Sequence, residues 1–154
     1  MDKKEWKDYK PEKILNTPRH GWSHFVFDED MRVSYIDDVP GCLLETIKQT
    51  IINNNGFLIS FDCEGYDFSI LSYDNYDIEI IIRKDDTRIV RLDKNFKSFC
   101  YDVVFSIESD IDDWAMFYFD NESEENQKAE KERLLKLIQE IKEILPNSFW
   151  YYKE

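Results

Sequence analysis

Residues 57–92 read FLISFDCEGYDFSILSYDNYDIEIIIRKDDTRIVRL, in which short runs rich in Ile, Phe and Tyr alternate with turn-forming pairs. The runs favour β-strands and occupy 57–61, 66–71, 77–83 and 88–92. The intervening pairs favour tight turns and are Glu64-Gly65, Asp74-Asn75 and Asp85-Asp86. Strands this short, spaced about ten residues apart, predict an antiparallel meander.

The meander is expected to extend in both directions along the chain. Upstream, 22–27 and 32–36 have the composition of strands and are separated by an acidic turn at 28–30. Downstream, we expect two more strands at 98–107 and 115–119, which are joined through the acidic loop 110–113. The sequence therefore predicts an antiparallel sheet of about six to eight strands.

Two helices complete the predicted fold. Leu44, Ile47 and Ile51 form an apolar stripe within 41–54, and the Asn and Gly residues that follow are typical of a helix end. A longer helix is expected over 123–145, before Pro146. Its apolar stripe is Leu134, Leu137, Ile138, Ile141, Ile144 and Leu145. Strands followed by a covering helix predict an α+β fold with the helices packed on one face of the sheet.

The composition predicts a single domain over 1–154, with 1–19 as a peripheral N-terminal arm. A hydrophobic content of 42% is ample for a core, which argues against disorder. No apolar run approaches the length that spans a bilayer, and the first residues lack the apolar core of a signal peptide. Three cysteines without a CxxC pair favour a reducing compartment. We expect a cytoplasmic protein without a membrane partner.

The charge of the chain is strongly negative and unevenly spread. The net charge is −13, and 102–125 holds nine carboxylates and no Lys or Arg. A field of this sign opposes direct binding to DNA or RNA, whose affinity comes from cations that neutralise phosphates. It favours a basic protein partner instead. Glu122, Glu124 and Glu125 have a local explanation, since anions are favoured in the first turn of a helix.

Motifs of catalysis and of metal or cofactor binding are not apparent in the sequence. A helix–loop–helix calcium site starting at Asp110 would place Trp114 and Ala115 where an oxygen ligand and Gly are required. His20 and His24 lack a third metal ligand at a fixed spacing. The four glycines are isolated, which excludes the common phosphate-binding loops. The sequence therefore predicts no enzyme activity, no metal and no cofactor.

Two groups of acids with interleaved aromatics are the predicted partner-binding surface. The first group lies in turns of the meander and comprises Asp62, Glu64, Tyr66, Asp67, Asp74, Tyr76 and Asp77. The second lies in the downstream loop and comprises Asp110, Asp112, Asp113 and Trp114. Carboxylates would steer a basic partner, and Tyr or Trp would anchor it. The competing interpretation is that these aromatics face the core. A basic cluster of Arg83, Lys84, Arg88 and Arg91 is interpreted as protection of a sheet edge.

The profile over 22–145 resembles the small acidic immunity proteins of bacterial polymorphic and contact-dependent toxin systems. The resemblance is carried by chain size, α+β order, acidity and the aromatic-laced acidic loops. It implies a non-catalytic inhibitor whose carboxylates occupy the place of substrate phosphates on a basic toxin or nuclease domain. The alternatives are a nucleic-acid mimic that inhibits a DNA- or RNA-binding protein, a small enzyme without a recognisable motif, and an acidic adaptor or homodimer joined through its sheet edge. Monomer and homodimer are both open.

Overall fold

The computed structural model describes residues 6–118 and 123–149, which form an α+β fold. The strands in these ranges are β1 (Trp22–His24), β2 (Arg32–Ser34), β3 (Phe57–Asp62), β4 (Asp67–Ser72), β5 (Asp77–Lys84) and β6 (Asp86–Asn95). The α-helices are α1 (Val39–Asn53), α2 (Phe96–Ser109), α3 (Ile111–Ala115) and α4 (Glu124–Ile144). Short 3-10 turns stand at Trp6–Asp8 and Leu145–Asn147.

The predicted meander is confirmed as a four-stranded antiparallel sheet of order β3-β4-β5-β6. Its three turns each contain a residue with positive φ, at Glu64 (58°), Asn75 (58°) and Asp85 (60°). Burial alternates along β3, as period-two side chains of a half-covered strand require. The turn residues and the alternation were both readable from the sequence, because each is set by local backbone geometry.

The prediction of one continuous sheet is wrong in detail, because β1 and β2 form a separate two-stranded sheet. The two sheets are linked by a side chain rather than by a strand ladder: the Asp37 carboxylate accepts a hydrogen bond of 2.8 Å from the Asp62 backbone N–H. The β1–β2 hairpin itself was predicted, although both strands are shorter than expected.

Part of the N-terminal arm is packed into the core. The Val26 N–H donates to the Ile14 carbonyl (2.9 Å), and the Asn16 N–H donates to the His24 carbonyl (3.1 Å), so this segment runs antiparallel to β1. The reversal between them uses His20 and Gly21, whose φ values of 54° and 77° are those of a tight hairpin turn. Ile14 and the adjacent Leu15 are fully buried.

Helices α1 and α4 lie where the apolar stripes predicted them. The Asp38 carboxylate caps α1 by accepting from the Gly41 N–H (3.2 Å), and Asn54 ends the helix in the left-handed conformation. Ser123 caps α4 by accepting from the Asn126 N–H (3.1 Å). Glu124 and Glu125 stand in the first turn of α4 as expected, and Glu122 lies outside the described residues.

The predicted strand at 98–107 is wrong, because this segment belongs to helix α2. Asn95 caps the helix by accepting from the Ser98 N–H at 2.8 Å. Aromatic and β-branched residues suggested a strand, but the buried apolar residues recur every three or four positions, which is the helical period. They are Phe96, Phe99, Cys100, Val103, Val104 and Ile107. Spacing, not composition, decides the structure of this segment.

The predicted strand at 115–119 is also not observed. Helix α3 ends at Ala115, and a turn follows in which the Phe117 N–H donates to the Trp114 carbonyl at 3.2 Å. Phe119 lies outside the described residues. Local hydrogen bonds of this kind leave the backbone unable to join a strand ladder.

The helices cover one face of the four-stranded sheet. Phe57 of β3 packs against Phe96 and Phe99 of α2, with ring centroids 4.9 Å and 5.9 Å apart. On the opposite face Leu58 and Ile89 are 64% and 58% exposed. No helix in the described ranges has the length and apolar character needed to cross a bilayer.

Candidate functional site

The predicted partner-binding residues are divided among three places. Asp62 pairs with Asp67 at one end of the β3–β4 ladder, whereas Asp74 and Asp77 lie at the opposite end. A strand of this length separates the two ends by about 17–20 Å. The third group surrounds the junction of α2 and α3 at Asp110. The structure therefore does not bring the predicted residues together into one surface.

The β3–β4 end is partly neutralised by the basic cluster of the β5–β6 hairpin. Arg83 pairs with Asp67 at 2.5 Å, and Lys84 pairs with Asp30 at 2.9 Å. Arg88 adds a bidentate contact to Asp28, both distances being 2.7 Å. The cluster thus binds carboxylates of its own chain, and Arg91 likewise binds Glu79 at 3.2 Å.

Tyr66 serves the fold at this end of the sheet. Its hydroxyl donates to the Asp30 carbonyl at 2.7 Å, and Lys84 lies 5.1 Å from the centre of its ring. Burial raises the pKa of Tyr66 to about 12. The carboxylates of Asp62 and Glu64 lie on the exposed turn beside it, where Asp62 accepts from the Glu64 N–H at 2.7 Å.

The α2–α3 junction carries less surplus charge than its sequence suggests. Asp110 pairs with Lys13 at 2.6 Å and accepts from the Thr17 hydroxyl at 3.0 Å. Asp112 pairs with Lys131 at 2.8 Å. Within the described ranges only Asp113 of these three acids makes no ion pair.

Trp114 lies in the core, against the prediction that it anchors a partner. Its exposed fraction is 0%, and its ring centroid is 5.0 Å from that of Phe117. The competing interpretation of the aromatics therefore describes Trp114. A partner could reach this side chain only if the core opened.

The β4–β5 turn is both exposed and ordered by its own hydrogen bonds. The Asp74 carboxylate accepts from the backbone N–H groups of Tyr76 (2.9 Å) and Asp77 (3.0 Å), which fixes the turn. Tyr73 is 86% exposed at its tip. The sequence reasoning missed Tyr73, although an aromatic residue beside an Asp-Asn turn pair is a readable signal. Asp77 makes no ion pair within the described part of the chain.

A groove of about 350 Å³ lies beside this turn and unites distant parts of the chain. We call it the acidic groove. It is lined by Tyr9 and Glu12 from the N-terminal segment, Tyr76 and Asp77 from the turn and start of β5, and Asp93 and Lys94 from β6. Sequence reasoning found Tyr76 and Asp77 but missed the other four, because only the tertiary fold brings residues so far apart together.

The only cation among the residues that line the acidic groove is already neutralised. Lys94 donates to the carboxylate of Asp102, which is fully buried in α2 beneath the groove. Asp102 also accepts from the Tyr9 hydroxyl (2.9 Å) and the Glu12 N–H (2.8 Å). The Lys94 ammonium also lies 3.4 Å from the Glu12 carboxylate. One cation thus faces Asp102, Glu12, Asp77 and Asp93, so the net charge is negative, and Asp77 and Asp93 make no ion pair in the described ranges.

The pKa values of this buried pair are shifted upward for different reasons. Burial raises the pKa of Asp102, while hydrogen bonds from Lys94 and the Glu12 N–H act in the opposite direction. Burial by itself lowers the pKa of Lys94, but the hydrogen bond to Asp102 and its charge outweigh this and raise it. Burial and the neighbouring Asp102 also raise the pKa of Tyr9. The hydrogen bonds from Lys94 and Tyr9 to the Asp102 carboxylate join the three side chains at the base of the groove.

Cys63 and Cys100 are buried in the core, whereas Cys42 is exposed. Burial raises the pKa of Cys63 to about 11 and also raises that of Cys100. A nucleophilic thiol requires the opposite shift. No group of three His, Cys, Asp or Glu residues with metal-binding geometry occurs in the described ranges.

In comparisons with known proteins, no family model, no curated protein and no solved structure matches this chain. The functional interpretation therefore rests on the geometry and charge of the acidic groove.

Proposed function

We propose that this chain is a non-catalytic acidic binding protein of the cytoplasm that neutralises a basic protein partner through the acidic groove. The observation that carries the proposal is that Lys94 is neutralised by the buried Asp102 and by Glu12, while Asp77 and Asp93 make no ion pair in the described ranges and can pair with a Lys- or Arg-rich segment. The biological class with this chemistry is the immunity protein, which inhibits a cognate bacterial toxin.

Recognition would combine long-range steering with aromatic contact. The uncompensated carboxylates attract a cationic surface, which raises association rates from about 10⁵–10⁶ toward about 10⁸–10⁹ M⁻¹s⁻¹ at low salt. Tyr76 lines the groove and Tyr73 is exposed in the same turn, and tyrosine supplies contact area at small conformational cost. The internal hydrogen bonds of the Asp74 turn hold this rim in place before binding.

The structure offers less support to two of the alternatives, the nucleic-acid mimic and the small enzyme. A nucleic-acid mimic needs carboxylates spaced like phosphates along a stripe, whereas here many are paired with cations and the rest are spread over separate ends of the fold. An enzyme with a hidden site would need its unusual carboxyl group to touch a substrate. Asp102 has a raised pKa but no exposed surface.

The test is recovery of the partner from the native host with matched variants. Tagged wild type would be compared with Asp77→Lys/Asp93→Lys in the groove and with Glu132→Lys/Glu143→Lys, which makes the same charge change on the exposed face of α4. We expect wild type and the α4 variant to retain one basic protein, identified by mass spectrometry, that the groove variant loses. Equal recovery by all three proteins, or retention of no basic protein by wild type, would reject the proposal.

A further inference from the structure

Two arginines stand apart from the others in this acid-rich chain. Of the six arginines, Arg83, Arg88, Arg91 and Arg133 each have a carboxylate oxygen within 3.2 Å. Arg19 and Arg32 form no ion pair within the described ranges, although the chain has 33 acidic residues. Both line one groove of about 550 Å³, which we call the arginine groove.

The fold builds the arginine groove on the small N-terminal sheet. Backbone hydrogen bonds of 2.8 Å and 3.0 Å join Arg19 to Trp22 across the His20-Gly21 turn. In the β1–β2 ladder His24 pairs directly with Arg32. Side chains two residues apart on a strand share a face, so Trp22 and His24 stand on the same side of the sheet. Ser23 between them points inward and is 8% exposed.

The guanidinium groups of the arginine groove are placed to bind an anion. The Arg32 guanidinium carbon lies 5.1 Å from the centre of the Trp22 ring, which orients the guanidinium by a cation–π contact. Both arginines are exposed, and neither donates a side-chain hydrogen bond to another described residue. Guanidinium groups match the oxygen pairs of carboxylates and phosphates with two parallel hydrogen bonds.

No carboxylate lines the arginine groove. The nearby acid is Asp110, which forms an ion pair with Lys13 at 2.6 Å and accepts a hydrogen bond from the Thr17 hydroxyl at 3.0 Å. The amide nitrogen of Asn16 lies 2.9 Å from His24 Nδ1, which holds the ring beside the two arginines. The groove is thus a cationic, aromatic-walled site on a protein whose net charge is −13.

We propose that the arginine groove binds a small ligand through an oxyanion, a phosphate or carboxylate group held by Arg19 and Arg32 against the Trp22 wall. This site is separate from the acidic groove and does not depend on the proposed function. If these arginines served only solubility, a chain so rich in acids would be expected to pair them as it pairs the other four.

The test uses the full chain and three probes: inorganic phosphate, citrate and a nucleoside monophosphate. Binding would be followed by calorimetry and by NMR shifts of arginine side-chain and indole N–H signals. The groove variant is Arg19→Gln/Arg32→Gln, and the control is Arg91→Gln, which removes an exposed arginine of β6. Circular dichroism and melting temperature would establish that each variant is folded.

We expect saturable binding of at least one probe, weakened about tenfold or more in the groove variant and by less than about twofold in Arg91→Gln. Phosphate binding without citrate binding would identify a phosphate ligand, and the reverse pattern would identify a carboxylate ligand. The absence of saturable binding to all three probes would overturn the proposal, as would equal weakening in the control. Shifts confined to residues outside the groove would also overturn it.

Discussion

The carboxylate of Asp102 is completely enclosed by the fold, and the ammonium of Lys94 donates to it from the end of β6. The pair joins the last strand of the meander to helix α2. Because Asp102 also accepts from Tyr9 and from the Glu12 N–H, it fixes the N-terminal segment against both elements. One buried charge therefore organises the floor of the acidic groove.

Replacement of Asp102 with Ala should destabilise the chain by about 3–5 kcal/mol, because it leaves the largely buried Lys94 charge with only the longer, exposed pair to Glu12 (3.4 Å). The matched control is Glu108→Ala on the same helix, which removes an exposed pair with Lys142 and should change stability by less than about 1 kcal/mol. Urea denaturation of both variants measures the difference. Similar losses of stability in the two variants would show that the buried Asp102 stabilises the fold no more than an exposed carboxylate does.

Lys97 should make stability depend on pH in the alkaline range. It is buried and donates to the carbonyls of Pro146 (3.0 Å) and Ser148 (2.7 Å), and burial lowers its pKa from 10.5 to about 8. Between these two values the unfolded chain binds more protons than the folded chain, so this group adds stability as the pH rises.

The measurement is the free energy of unfolding of wild type minus that of Lys97→Met. We expect this difference to become more positive by about 2 kcal/mol between about pH 7.5 and about pH 10. The cysteines, tyrosines and other lysines titrate in both proteins, and their contributions cancel in the subtraction. A difference that stays flat or falls over this range would contradict the assigned cause.

Ile141→Asp should unfold the chain, because this side chain is fully buried in the apolar stripe of α4. Leu135→Asp, on the same helix, is the control, since its side chain is 37% exposed. Circular dichroism should show loss of helix only for the first variant. A folded Ile141→Asp protein would mean that α4 does not pack as described.

Binding to the recovered basic partner should weaken steeply with salt, because steering by the acidic groove is screened by ions. Asp77→Lys/Asp93→Lys should slow association by about tenfold or more while shifting the melting temperature by less than about 3 °C, since both residues are exposed. Stopped-flow kinetics and thermal melts measure the two effects. A salt-independent association rate would refute electrostatic steering.

The meander and the two long helices could be predicted because local geometry sets them. Positive φ at Asn75 and Asp85 suits residues that the sequence shows directly, and the stripe of α4 has a period that only a helix matches. Helix α2 was mistaken for a strand because its aromatic and β-branched residues outweighed its helical spacing. That error was avoidable from the sequence.

The acidic groove could be predicted only in part. Tyr76 and Asp77 were found because a turn between strands must be exposed. Glu12 and Asp93 were not, because they reach the same groove from elements far away in the chain. Their convergence is a property of packing.

The sequence by itself determined how much negative charge this protein carries, and the tertiary structure decided where that charge acts. Asp110 and Asp112 belong to the most acidic run of the chain, yet Lys13 and Lys131 neutralise them across the fold. Asp77 lies in a less acidic stretch and makes no ion pair in the described ranges. Electrostatic compensation depends on distances in space, and those distances are fixed only when helices and sheets pack.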